Sequence, residues 1–143
     1  EQRGGDSAGA AEQLLGIDGL KLFTYMLDVD VLADGSLGRT WGVELVPRAL
    51  LPIQQSRMLN SDSFTSLMDF LVSWGMADER SAVLPECFWS CDYRDSSSGD
   101  YIMYSYLSHL KLRWQDGRPY PAKVYIQLRN LPRQATINES LHR

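Results

Sequence analysis

The feature that most constrains this chain is a pair of matched alternations on either side of Asp116-Gly117. Before that pair, Ile102, Tyr104, Tyr106, Leu110, Leu112 and Trp114 share one parity across residues 101–114; after it, Ala122, Val124, Ile126 and Leu128 do the same. Successive side chains of a strand point to opposite faces, so two apolar parities joined by a turn predict an antiparallel hairpin with one face on the core. Asp-Gly is a favoured hairpin-turn pair. Pro119 and Pro121 predict a longer, stiffened loop before a last strand over 123–131.

The same period appears earlier. Phe23, Tyr25, Leu27, Val29 and Val31 alternate with Thr24, Asp28 and Asp30, which predicts a half-buried strand over 21–32. The turn residues of 33–38 and the apolar stretch 40–46 predict its hairpin partner, with Pro47 and Pro52 ending the ladder because proline donates no hydrogen bond. From about Ser61 or Ser63 to Trp74 the period becomes helical. Phe64, Leu67, Met68, Leu71 and Trp74 stack on one face, a Ser/Asp cluster offers the N-cap, and Gly75 offers a left-handed stop. A short helix is expected over 8–15, a charged connection with room for one helical turn over 77–85, and a further strand over 87–93.

These elements amount to an α+β fold: an antiparallel sheet of about five strands, built from hairpins and a meander, packed against one main amphipathic helix. A length of 143 residues suits one hydrophobic core. Residues 8–131 are expected to form the single domain, preceded by a flexible lead-in at 1–7 and followed by a C-terminal arm or linker at 132–143. With 44% hydrophobic and 22% charged residues, the composition is that of a globular protein. No run of about 18 apolar residues exists, so a soluble chain without a membrane-spanning helix is expected, and the start carries no signal-peptide pattern.

Cys87 and Cys91 are four residues apart. In an extended segment their Cα atoms would lie about 13 Å apart, beyond the reach of a disulfide. They are read as two buried free thiols beside Trp89, which favours a reducing intracellular compartment such as the cytoplasm. With only His109 and His142 as further ligands, a zinc site is disfavoured.

Catalytic constellations are weak throughout. Asp28-Val29-Asp30 places two carboxylates on one strand face about 7 Å apart, a geometry that holds a divalent cation only where a third oxygen ligand converges, and Glu44 is the one candidate. Two solvated acids are the plainer reading. Of the two histidines, His142 stands one residue from the end and His109 lies on the polar parity of a long strand beside Lys111, and no basic neighbour or helix N-terminus lowers either thiol pKa, so a hydrolase is disfavoured. Gly35, Gly38 and Gly42 match neither a P-loop nor a dinucleotide fingerprint. No cofactor is implied.

Charge carries the remaining signal. Residues 1–110 hold seven Lys/Arg against sixteen Asp/Glu, a formal −9, whereas 111–143 hold seven against two, a formal +5. On the polar parity of the last hairpin, His109, Lys111, Arg113, Lys123, Tyr125 and Arg129 form a basic stripe with one aromatic platform, and Gln127 joins them. The leading expectation is a non-catalytic protein-interaction or assembly module of a larger complex, meeting a protein partner or a further copy of itself through this stripe. The alternative is a single-stranded nucleic-acid-binding domain, in which cations track phosphate and the ring stacks on a base. A metal-dependent enzyme centred on Asp28 and Asp30 is the third.

Overall fold

In a computed structural model, which describes residues 12–97 and 99–133, five strands form one open antiparallel sheet with helices gathered around its centre. A helical stretch at 12–15 turns at Gly16 and leads through a 3-10 segment, Asp18–Leu22, into β1, Phe23–Val31. β2, Leu37–Pro47, pairs with it, with Gly35 at a positive φ in the connecting turn. Two helices follow, α1 at Pro52–Leu59 and α2 at Asp62–Ser73. A second 3-10 segment, Glu79–Cys87, precedes β3 at Ser90–Asp95, β4 at Gly99–Gln115 and β5 at Arg118–Pro132. Of the expected short helix at 8–15, only 12–15 can be placed. The lead-in at 1–7 and most of the arm at 132–143 lie outside the described residues.

The long β4 organises the sheet. β5 runs along one of its edges, while the other edge is shared, its Leu110–Gln115 half by β2 and its Gly99–Tyr104 half by β3. Between those halves the strand needs hydrogen-bond partners from elsewhere, because a buried unpaired peptide group costs about as much as a lost hydrogen bond. Gln55 of α1 supplies them: its Oε1 accepts from Leu107 N–H at 3.0 Å and its Nε2 donates to Leu107 O at 3.2 Å. A third bond, from Nε2 to Ala49 O at 3.0 Å, fixes the amide. Ser105 N–H meets Trp89 O beside it, and the Ser105 hydroxyl accepts from Trp89 N–H.

α2 forms as its spacing predicts. Ser61 caps it by accepting from Phe64 N–H, Phe64, Leu67 and Leu71 are buried, and Gly75 takes a positive φ just past the end. The helical layer is nevertheless shared. α1 has no counterpart among the expected elements: Pro52, expected only to end a ladder, occupies its first turn, where a missing N–H costs nothing. The buried cluster joins Met58 and Leu59 of α1 and Phe64, Leu67 and Leu71 of α2 to Val43 and Leu45 of β2 and Leu107, Leu110, Leu112 and Trp114 of β4.

Three further expectations are corrected. The Gln115–Arg118 turn is tight, with Asp116 and Gly117 both at positive φ, and Pro119 and Pro121 lie inside β5, which as an edge strand tolerates lost donors. The ladder slips between Leu107 and His109, a bulge at Ser108, so Ile102, Tyr104 and Tyr106 do not share the face of Leu110, Leu112 and Trp114. Both cysteines are free but exposed, Cys87 at the end of the second 3-10 segment and Cys91 on the short β3. No helix among the described residues is long and apolar enough to cross a membrane.

Candidate interaction surface

The register gathers the six stripe residues on one face of the sheet, the face away from the buried cluster. Lys111 pairs with Lys123, His109 with Tyr125, Arg113 with Tyr120 and Tyr104 with Arg129. The His109 and Tyr125 rings stack at 4.0 Å. Next along, the Tyr106 hydroxyl bonds to Gln127, so the parity change at Ser108 brings two tyrosines, Tyr104 and Tyr106, onto a face where alternation alone does not put them. Lys123, Arg113 and Arg129 are exposed.

Lys111 is different. Its Nζ lies 2.8 Å from Glu44 Oε1 and 3.1 Å from Asp28 Oδ2, and its side chain is 22% exposed. The three come together because β1, β2 and β4 are adjacent: Asp28 stands opposite Gly42, and Glu44 opposite Lys111. Hydrogen bonds to Glu44 first and Asp28 second raise the pKa of the ammonium above its ordinary value. An ammonium thus sits where Asp28 and Glu44 would have to converge on a metal, and among the described residues no group of three or more His, Cys, Asp or Glu side chains is placed to hold one. The ammonium already holds two of the carboxylates that the metal-centred expectation would use, and Lys111 is neutralised within the fold.

On the opposite face the helical layer stops short of the outer strands. Of β1 only Phe23 belongs to the buried cluster, and Leu27 is 72% and Val29 50% exposed. On β5, Val124, Ile126 and Leu128 lie opposite Leu110, Leu107 and Ser105, yet Ile126 is 42% and Leu128 64% exposed. Alternation places these aliphatic groups on the core face but carries no information about how far the helices extend over it. An open groove of about 440 Å³ runs between Met68, Leu84 and Cys87 on one side and Ala122 and Val124 on the other.

Comparison of the chain with protein-family models, curated proteins and solved structures finds no match in any of the three.

Proposed function

We propose that this chain is a protein-interaction module whose recognition elements are two of its outer strands, β1 and β5. One observation carries the reading: among the described residues β1 and β5 each combine a backbone edge on which no further strand pairs with aliphatic side chains left exposed on the core face. Open edges are templates for strand addition, and contiguous exposed apolar side chains mark association sites. Lys123, Arg113 and Arg129 on the other face supply charge that steers an acidic partner. Affinity capture with the full chain tests it. Leu27→Lys and Ile126→Lys abolish recovery of a bound protein, Leu27→Val preserves it, and charge reversal at Arg113 and Arg129 weakens it. Recovery unchanged by both lysine substitutions overturns the proposal.

The stacked His109–Tyr125 pair, flanked by Lys123 and Arg129, motivates a second reading as a single-stranded nucleic-acid binder. The Lys111 ion pairs leave this face fewer available cations than the stripe promises. Anisotropy titration of a labelled oligonucleotide decides: affinity that falls steeply with salt and is lost in Tyr125→Ala supports it, and no binding at low salt ends it.

A further inference from the structure

We propose that the partner of the outer edges of β1 and β5 is a second copy of this chain, joined head to tail with β5 of one copy pairing antiparallel to β1 of the next. The inference rests on reading those edges as recognition surfaces and specifies their occupant. Strand direction comes first. β1, β2, β4 and β5 alternate in direction across the sheet. A neighbour in the same orientation therefore brings its β1 antiparallel to β5, with both helical layers on one side.

Hydrogen-bonding phase agrees. Arg48 N–H donates to Leu22 O at 3.0 Å, so even-numbered residues of β1 bond to β2, while Tyr25, Leu27 and Val29 turn their peptide groups outward. On β5, Ala122 N–H leaves the ladder for Met76 O at 2.7 Å, and alternation turns the peptide groups of Val124, Ile126 and Leu128 outward too. On both edges the outward residues are the ones whose side chains lie on the core face. One register then places Tyr25 opposite Leu128, Leu27 opposite Ile126 and Val29 opposite Val124, each pair both apolar and hydrogen-bonded.

Charge complementarity selects this arrangement over a symmetric one. In the same register Asp30 faces Lys123 on the polar side. Pairing β5 with another β5 about Ile126 sets Lys123 against Arg129 of the copy, and pairing β1 with another β1 about Val29 sets Asp28 against Asp30; like charges directly opposed destabilise a ladder, and no symmetric register offers the Asp30–Lys123 pair. A head-to-tail contact closes into a ring or extends as a filament, according to the rotation between copies.

Sedimentation velocity of the full chain tests the proposal, the monomer being 16.2 kDa. The wild type forms species larger than a dimer at submillimolar concentration. Leu27→Pro blocks one edge and Ile126→Pro the other, each removing an outward donor while leaving the existing ladder bonds in place; alone each is monomeric, and mixed they give a one-to-one heterodimer. Asp30→Lys weakens association about fivefold, from the usual worth of an exposed cross-strand charge pair, and Lys123→Asp in the same chain restores it. The charge pair keeps the test decisive if a proline variant does not fold. A wild type monomeric throughout, a dimer that does not grow, or a failure of Lys123→Asp to rescue Asp30→Lys overturns head-to-tail assembly. The wider interaction reading falls separately, only if capture of another protein survives loss of both edges.

Discussion

Two polar side chains that meet the sheet do more for the fold than their type suggests. Gln55 replaces a missing stretch of strand by giving both an acceptor and a donor to Leu107. Gln55→Met keeps the volume and leaves two buried peptide groups unpaired, at about 1–3 kcal/mol each. A denaturant melt is expected to show a loss of several kcal/mol, and a midpoint equal to wild type contradicts the bridging role. Lys111 acts between Glu44 and Asp28, so Lys111→Met leaves two neighbouring carboxylates without their cation and, with Asp28 half exposed, costs about 1 kcal/mol at neutral pH. Its raised pKa gives the pH dependence a direction. The pairing contributes fully below 10.5, the ordinary lysine value, and is lost as pH rises from there through the raised folded value. The gap between wild-type and Lys111→Met melts should therefore stay constant through neutral pH and narrow in strong alkali. Narrowing at neutral pH contradicts it.

At the scale of elements, close approach rather than composition sets several positions. An added Cβ at Gly19 would lie 2.3 Å from Ser63 O and 2.8 Å from Leu67 Cβ, so the first 3-10 segment meets α2 backbone to backbone. Gly19→Ala is expected to cost about 1–3 kcal/mol as an overpacking change, read as a shifted denaturant midpoint; an unshifted one means the segments separate freely. α2 and the last hairpin were legible in the sequence because each repeats a local period over ten residues or more. α1 was not, since Pro52-Ile-Gln-Gln-Ser-Arg-Met-Leu lacks a clean apolar stripe and its stability comes from tertiary bonds such as those of Gln55. The Ser108 bulge was equally hidden. Nothing in Leu-Ser-His marks an inserted residue, and one insertion moves Tyr104 and Tyr106 across the sheet. The exposure of Cys91 follows from β3 being a short outer strand, which depends on how β4 divides its edge.

At the scale of the molecule, the sequence carried the sign of each region's charge but not its placement. Asp28 and Asp30 lie on β1 and Lys123 and Arg129 on β5, three strand positions apart across the sheet, and only the register shows that they share a face. The candidate site was legible to the same extent: the basic stripe is a local pattern, whereas the neutralised Lys111 and the uncovered aliphatic edges depend on three adjacent strands and on the reach of the helical layer. Because a single buried cluster runs from Leu14 to Trp114, one cooperative unfolding transition is expected, and association that binds only the folded chain must couple to it. The melting temperature should therefore rise with chain concentration in the wild type. In Asp30→Lys that dependence weakens, in Ile126→Pro it disappears, and in the chain carrying Asp30→Lys with Lys123→Asp it returns. Calorimetry at several concentrations reads all four. A wild-type transition fixed in temperature over the range where larger species sediment would mean that the contact forms between unfolded or misfolded chains rather than between the ordered edges of β1 and β5.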